Sequence, residues 1–151
     1  MNTYDPNYVH QDVFAIVGQK AVIVNDLGEV LLLQRSEKAG AGGQWSFPGG
    51  ALDDKENPYE GIKREIREET QLEVSDIAPF YVRSYSNKEN KFVVIIAYTC
   101  APRTTEVILN WEHNNYKWMT KDAILAMDLT QDARFVAEHF ENSPAVKQVL
   151  T

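Results

Sequence analysis

Apolar residues recur along the chain in short runs typical of strands, interrupted by one longer stretch whose spacing is helical. Val13 to Val24 is rich in Val, Ile and Ala and predicts one or two strands, with Gly18 a candidate bulge. Asp26-Leu27-Gly28-Glu29 has hairpin-turn composition and leads into a strand over Val30–Arg35. Ser36–Gly43 is a loop of small residues, and Gln44–Phe47 alternates like a short strand that stops at Pro48-Gly49-Gly50. Further strands are predicted over Glu73–Ser86, Lys91–Cys100 and near Tyr116–Met119. The middle one is almost continuously apolar, as expected of a central strand buried on both faces. Two helices follow, over about 121–128 and 131–141. In the second, Ala133, Val136, Ala137 and Phe140 recur at helical spacing and form a core-facing stripe.

The best-marked helix starts at Pro58. Asn57 is a good N-cap, proline suits the first helical position, and Glu60 completes a capping-box pattern. The helix should run to about Gln71. At ~100° per residue, Glu65, Glu68 and Glu69 fall within roughly one 100° sector. Tyr59, Ile62 and Ile66 form the adjacent apolar stripe. Gly61 lies on the glutamate side, where a missing side chain leaves room for a backbone or a ligand. Strands, helix, strands, then helices predict an α/β (α+β) fold: an α/β/α sandwich with a mixed central sheet.

Length and composition narrow the choice. A chain of 151 residues suits a single domain spanning 1–151, burying roughly 70% of its unfolded surface. Residues 1–11 are expected to be a flexible N-terminal segment. They carry neither a basic start nor an apolar core, so no signal peptide is expected. The longest apolar run, Phe92–Tyr98, is far below the ~20 residues that cross a bilayer, so no membrane partner is expected. One Cys, Cys100, cannot form an internal disulfide and fits a reducing, cytoplasmic setting. His10, His113 and His139 have no zinc-site spacing. The net charge of −7 makes nucleic acid an unfavourable partner.

That charge is unevenly spread. Asp53 to Glu73 holds eight acidic and four basic side chains, so a net −4 of the total −7 sits in this short stretch. Neighbouring carboxylates on one helix face repel by up to ~3 kcal/mol per pair at an effective dielectric near 20, but by only a few tenths in water. Two readings stand at this point. The glutamates can be ligands for a hard divalent cation such as Mg²⁺, which prefers oxygen donors. They can equally be a solvated acidic face, which the i,i+4 pair Arg64 and Glu68 favours.

The flanking residues add a stronger signal. Gly50, Glu56, Arg64-Glu65-Ile66-Arg67-Glu68-Glu69 and Leu72 resemble the Nudix box: glycine, five residues, glutamate, seven residues, then Arg-Glu-apolar-x-Glu-Glu-x-Gly-apolar. The box spans Gly50 to Leu72, and the element order resembles the family's fold from about Val13 to Phe140. One position departs: Gln71 stands where the family has glycine. A glycine there would serve a left-handed helix end, and Gln71 in that conformation costs about 1 kcal/mol or more.

The resemblance implies a hydrolase in which water attacks a phosphorus atom of a nucleoside diphosphate derivative. It implies that Glu65, Glu68 and Glu69, with the Gly49 carbonyl, hold Mg²⁺ or Mn²⁺, and that Glu65 or Glu69 is the general base. Arg64 and Glu56 look like a pair that fixes the glutamate helix against the loop. Glu112, ahead of an aromatic strand, resembles an extra metal-binding or basic glutamate and reads equally well as a surface acid. Arg35 resembles a phosphate-binding position and reads nearly as well as a surface arginine, and Trp45 and Phe47 are candidate stacking faces for a base or, alternatively, core aromatics. The loop Gly40 to Gly50 is similar to that of small nucleoside triphosphate pyrophosphohydrolases. The expected partner is therefore a small nucleotide, with a homodimer left open. The alternatives are a hydrolase of a nucleotide sugar or ADP-ribose, and a non-hydrolytic nucleotide- or partner-binding module on the same scaffold.

Overall fold

The computed structural model describes residues 4–140. Its elements are β1 (Ile16–Ile23), β2 (Val30–Arg35), β3 (Trp45–Ser46), α1 (Pro58–Thr70), β4 (Val74–Ser86), β5 (Phe92–Pro102), β6 (His113–Met119), α2 (Lys121–Ile124) and α3 (Gln131–Ala137). A single 3-10 turn at Glu37–Ala39 sits in the loop after β2.

The strands form two three-stranded sheets, where the sequence suggests one. In the mixed sheet, β5 lies between β1, its parallel neighbour, and β4, its antiparallel neighbour. The apolar run of β5 is thus the central strand that its composition predicts. In the antiparallel sheet β2 lies between β3 and β6. The turn after β1 makes only a short antiparallel bridge, Val24 to Val30, and so joins the two sheets without making β1 and β2 full neighbours. Strand Val13–Val24 resolves to one strand without an irregularity at Gly18, which pairs with Ile95 on one side and Ala51 on the other.

Alternation along β1 and β2 sorts the core into two layers. Ala21, Ile23, Leu31 and Leu33 pack with Ile62 and Ile66 of α1, and with Leu72, Tyr98 and Cys100. Val22 and Leu32 point the other way, towards Ile124, Ala133, Val136, Ala137 and Phe140. Helices therefore cover both faces, and the α/β/α layering holds. Burying Ile62 and Ile66 completely contributes about 2–3 kcal/mol each, enough to fix which side of α1 faces outward. The helices after β6 are shorter than the sequence suggests, and residue 141 lies outside the described residues. Among the described residues, no helix is long and apolar enough to cross a membrane.

The ends of α1 set the position of its glutamates. The Asn57 side chain accepts the Tyr59 N–H at 3.0 Å. Glu60 turns to Lys63 at 3.5 Å, so the hydrogen bonding at this end comes from Asn57. At the other end Gln71 adopts φ 58° and ψ 15°, and its N–H bonds the Arg67 carbonyl at 2.9 Å. The left-handed exit is kept even though glycine is absent.

Candidate active site

The site begins where the Pro48–Leu52 segment runs along the free edge of β1. Ala21 N–H donates to the Pro48 carbonyl, Gln19 N–H to the Gly50 carbonyl and Leu52 N–H to the Val17 carbonyl, each at 2.8 Å. The approach is tight at Gly49, whose φ is +144°; a Cβ there would lie 2.0 Å from the Gln19 carbonyl oxygen. Only glycine fits that position. A Cβ at Gly50 would meet the Glu65 carboxylate at 2.6 Å, and one at Gly61 would meet Leu52, Gln19 and Glu56 within 2.8 Å. Both glycines bring α1 close to the loop.

This packing buries charge. Glu69 is 2% exposed and accepts the Gly49 N–H at 3.1 Å. Burial pushes its pKa up to about 8, against the opposing effect of the Lys20 charge and the Gly49 hydrogen bond. Burial also raises Glu65, against the pull of Arg64. The negative charge of Glu112 raises both, so its carboxylate acts electrostatically on the α1 glutamates. Asn110 holds Glu112 at 3.3 Å, and the Glu112 carbonyl accepts the Ser36 N–H at 2.8 Å.

Arg64 is the counter-charge. Its Nε and one terminal nitrogen donate to both Glu56 oxygens at 2.8 and 3.0 Å. The other nitrogen reaches Glu65 at 3.0 Å and Glu68 at 3.2 Å. Bidentate pairing holds Glu56 below the usual carboxylate range and raises Arg64 further. Arg64 thus ties the loop carboxylate to the helix, the pairing expected of it.

Oxygen donors dominate the site, and the charges of Glu65, Glu69 and Glu112 penalise one another. A hard divalent cation relieves that repulsion, so the donor set suits Mg²⁺ or Mn²⁺. The side chains are not gathered into a cage: among the described residues no three acidic or ligating groups converge on one point. Glu65 and Glu68 are turned to Arg64, and Glu69 to Gly49.

Beside Lys20 lies a cleft of about 510 Å³, bordered by Arg35, Gly40, Ser46, Tyr85 and Asp132 among others. Arg35 is therefore on the cleft, with its Nε donating to the Gly40 carbonyl at 2.8 Å. His113, paired with Arg35 across β2 and β6, is buried; desolvation, with the Arg35 and Lys20 charges, pushes its pKa down to about 4. Trp45 and Phe47 need correction as stacking residues. They are 7% and 1% exposed and belong to the core beneath α3, so neither ring presents an open face for a base. The cleft's aromatic is Tyr85, on β4. Sequence reading also passed over Lys20. Its signal was a lysine inside an otherwise apolar strand, where a buried cation needs a partner.

The chain is similar to known proteins over most of its length. The NUDIX domain profile matches residues 16–140. The chain is 30% identical over 124 residues to the nucleoside triphosphatase NudI of Salmonella newport, covering 75% of this chain and 87% of that one. Among solved structures, it is similar to a MutT protein from Methanosarcina mazei, at 34% identity and a TM-score of 0.71, covering 82% of this chain and 91% of that chain. It is also similar to a MutT NUDIX hydrolase from Burkholderia pseudomallei, at 27% identity and 0.74, covering 85% and 99%. The chain belongs to the Nudix family of hydrolases.

Proposed function

We propose that this protein hydrolyses a phosphoanhydride bond of a nucleoside di- or triphosphate, with triphosphates the leading substrates, in a reaction that needs Mg²⁺ or Mn²⁺. The observation that carries the reading is the buried Glu69, bonded to the Gly49 N–H of the Pro48–Gly50 loop, with the half-buried Glu65 against Gly50 of the same loop. Glu65, Glu68, Glu69, Glu112 and the Gly49 carbonyl would hold the cation. When bound, it would neutralise substrate phosphate and acidify the attacking water. Glu69 or Glu65 would serve as general base towards the attacking water, once the bound cation offsets the burial that raises both carboxyls. Arg64 and Glu56 hold α1 against the loop, and Arg35 offers its guanidinium to a phosphate in the cleft. The triphosphate preference is supported by the NudI relative, which is named a nucleoside triphosphatase. A single unpaired, buried Cys100 supports a cytoplasmic location.

The test is a panel of nucleoside di- and triphosphates, nucleotide sugars and ADP-ribose, assayed with and without chelator and repeated with Glu69→Gln. Turnover that disappears under both treatments is expected. Turnover indifferent to both would overturn the reading, and tight nucleotide binding without turnover would move it to a binding module.

A further inference from the structure

Gln19 interrupts the row of β1 residues that faces α1. Ala21 and Ile23 share its face by strand alternation, and both are apolar and pack with Ile62 and Ile66. Gln19 is 0% exposed, yet it carries an amide. Its Nε2 donates to the Pro58 carbonyl at 2.8 Å and to the Tyr98 hydroxyl at 2.8 Å. Pro58 opens α1, and its carbonyl only accepts, so it fixes which end of the amide points at the helix. The main chain of the same residue meets the loop. Gln19 N–H donates to the Gly50 carbonyl at 2.8 Å, and its own carbonyl oxygen lies 2.0 Å from where a Gly49 Cβ would stand. One residue thus touches the loop that carries Gly49 and the helix that carries Glu65, Glu68 and Glu69.

Stability alone does not call for an amide here. Its Oε1 has no hydrogen-bond partner among the described residues, so part of its polarity is buried without compensation. An apolar side chain of the same length would fill the space without that penalty. What the amide adds is a directed link of fixed length, and ligand sets work only when held to within about 0.5 Å. We propose that Gln19 is a positioning residue for the cation. By clamping the first turn of α1 to the strand that carries the loop, it sets the spacing between the Gly49 carbonyl and the α1 glutamates. The inference rests on the cation-dependent reading above and adds a residue that acts through others.

Two clamps act on α1 at different points. Arg64 grips Glu56 near the middle of the helix, and Gln19 grips Pro58 at its start. Pro58 and Arg64 stand roughly 9 Å apart along the axis, from the rise per residue of an α-helix. A helix held at one point pivots, and held at two it does not. Without the Gln19 clamp the first turn is free to swing, while Ile62 and Ile66 still anchor the helix in the core. The bond to Tyr98 is different in kind. Tyr98 lies on β5, already the parallel neighbour of β1, so that bond joins two strands of one sheet and does not hold α1.

The probe is Mn²⁺ alone, titrated into the whole chain by calorimetry, with circular dichroism showing that each variant is folded. Gln19→Met keeps the length of the side chain and removes the donor. Its dissociation constant for Mn²⁺ is expected to be roughly 10-fold or more above wild type. The Mg²⁺ concentration that half-saturates turnover should rise by a similar factor, with kcat at saturating Mg²⁺ falling less. Tyr98→Phe cuts the other bond of the same amide, and its Mn²⁺ affinity should stay within about 3-fold of wild type. Should Gln19→Met fold poorly, combining it with Tyr98→Phe removes the buried hydroxyl left without a partner and carries the same expectation. A folded Gln19→Met that binds Mn²⁺ within about 3-fold of wild type would overturn the positioning role and leave the hydrolase reading standing. So would a Tyr98→Phe variant that loses as much affinity as Gln19→Met, since the effect would then come from core packing. A wild type that binds no Mn²⁺ would overturn both.

Discussion

Glu69 accepts a hydrogen bond from the Gly49 N–H at 3.1 Å, and this single contact joins the α1 glutamates to the loop that runs along β1. The carboxylate is buried, and its pKa is raised from 4.5 to about 8. The folded protein therefore binds a proton that the unfolded chain releases above pH 4.5, so stability falls as pH rises towards 8. His113 works in the opposite sense. Its pKa is lowered from 6.5 to about 4, and its contribution is lost as pH falls below 6.5. Between pH 6.5 and 8 the proton held by Glu69 sets the slope among these groups. In cation-free buffer the melting temperature should decline across that window, and Glu69→Gln should reduce the slope. A slope unchanged by the substitution would contradict this account.

Gly49→Ala tests the loop itself. A methyl group 2.0 Å from the Gln19 carbonyl must push the loop off β1, and φ +144° adds strain for any side chain. Together these should destabilise the protein by roughly 3 kcal/mol. Urea unfolding would register this as a lower midpoint with an unchanged m value.

Gln71→Gly should act the other way. A residue with a Cβ held at φ 58° is strained, and glycine removes that strain. A gain of about 1 kcal/mol is expected, seen as a melting temperature higher by ~2–4 °C. Its effect on turnover should be small, since Gln71 touches no cleft residue among the contacts described.

Arg64→Lys keeps the charge and loses the fork. One ammonium cannot hold both Glu56 oxygens while reaching Glu65 and Glu68. Turnover should drop by roughly 10- to 100-fold, as for other residues that orient a metal-binding side chain. Steady-state kinetics at saturating cation checks it; a kcat/KM within about 2-fold of wild type would contradict the positioning role.

Cys100 should be silent to thiol reagents in the native state. It is 5% exposed, and burial pushes its pKa up to about 12, so little thiolate forms. Labelling should follow unfolding when denaturant is titrated.

Local signals carried much of this into view. The cap at Asn57, the stripe through Ile62 and Ile66 and the glutamate spacing are properties of one short segment, and α1 begins where they indicate. β2 likewise matches its apolar run residue for residue. What escaped is non-local. Nothing near Val24 or Val30 tells that β1 pairs with β5 across the chain and that β2 joins another sheet. Trp45 and Phe47 flank a loop with chemical promise, yet which side of β3 faces the core depends on α3, far along the sequence. Lys20 and Asp132 are more than a hundred residues apart, and only the packing of α3 against β1 makes them a pair.

The reach of Arg64 has one further consequence. Its guanidinium pairs with Glu65 and Glu68, two of the side chains proposed to hold the cation, and so acts as a resident counter-ion to them. Loading the site is then an exchange rather than the filling of a vacancy. The affinity measured for a cation alone is the difference between two partners competing for the same oxygens, and it should tighten when substrate phosphate enters on the cation's side.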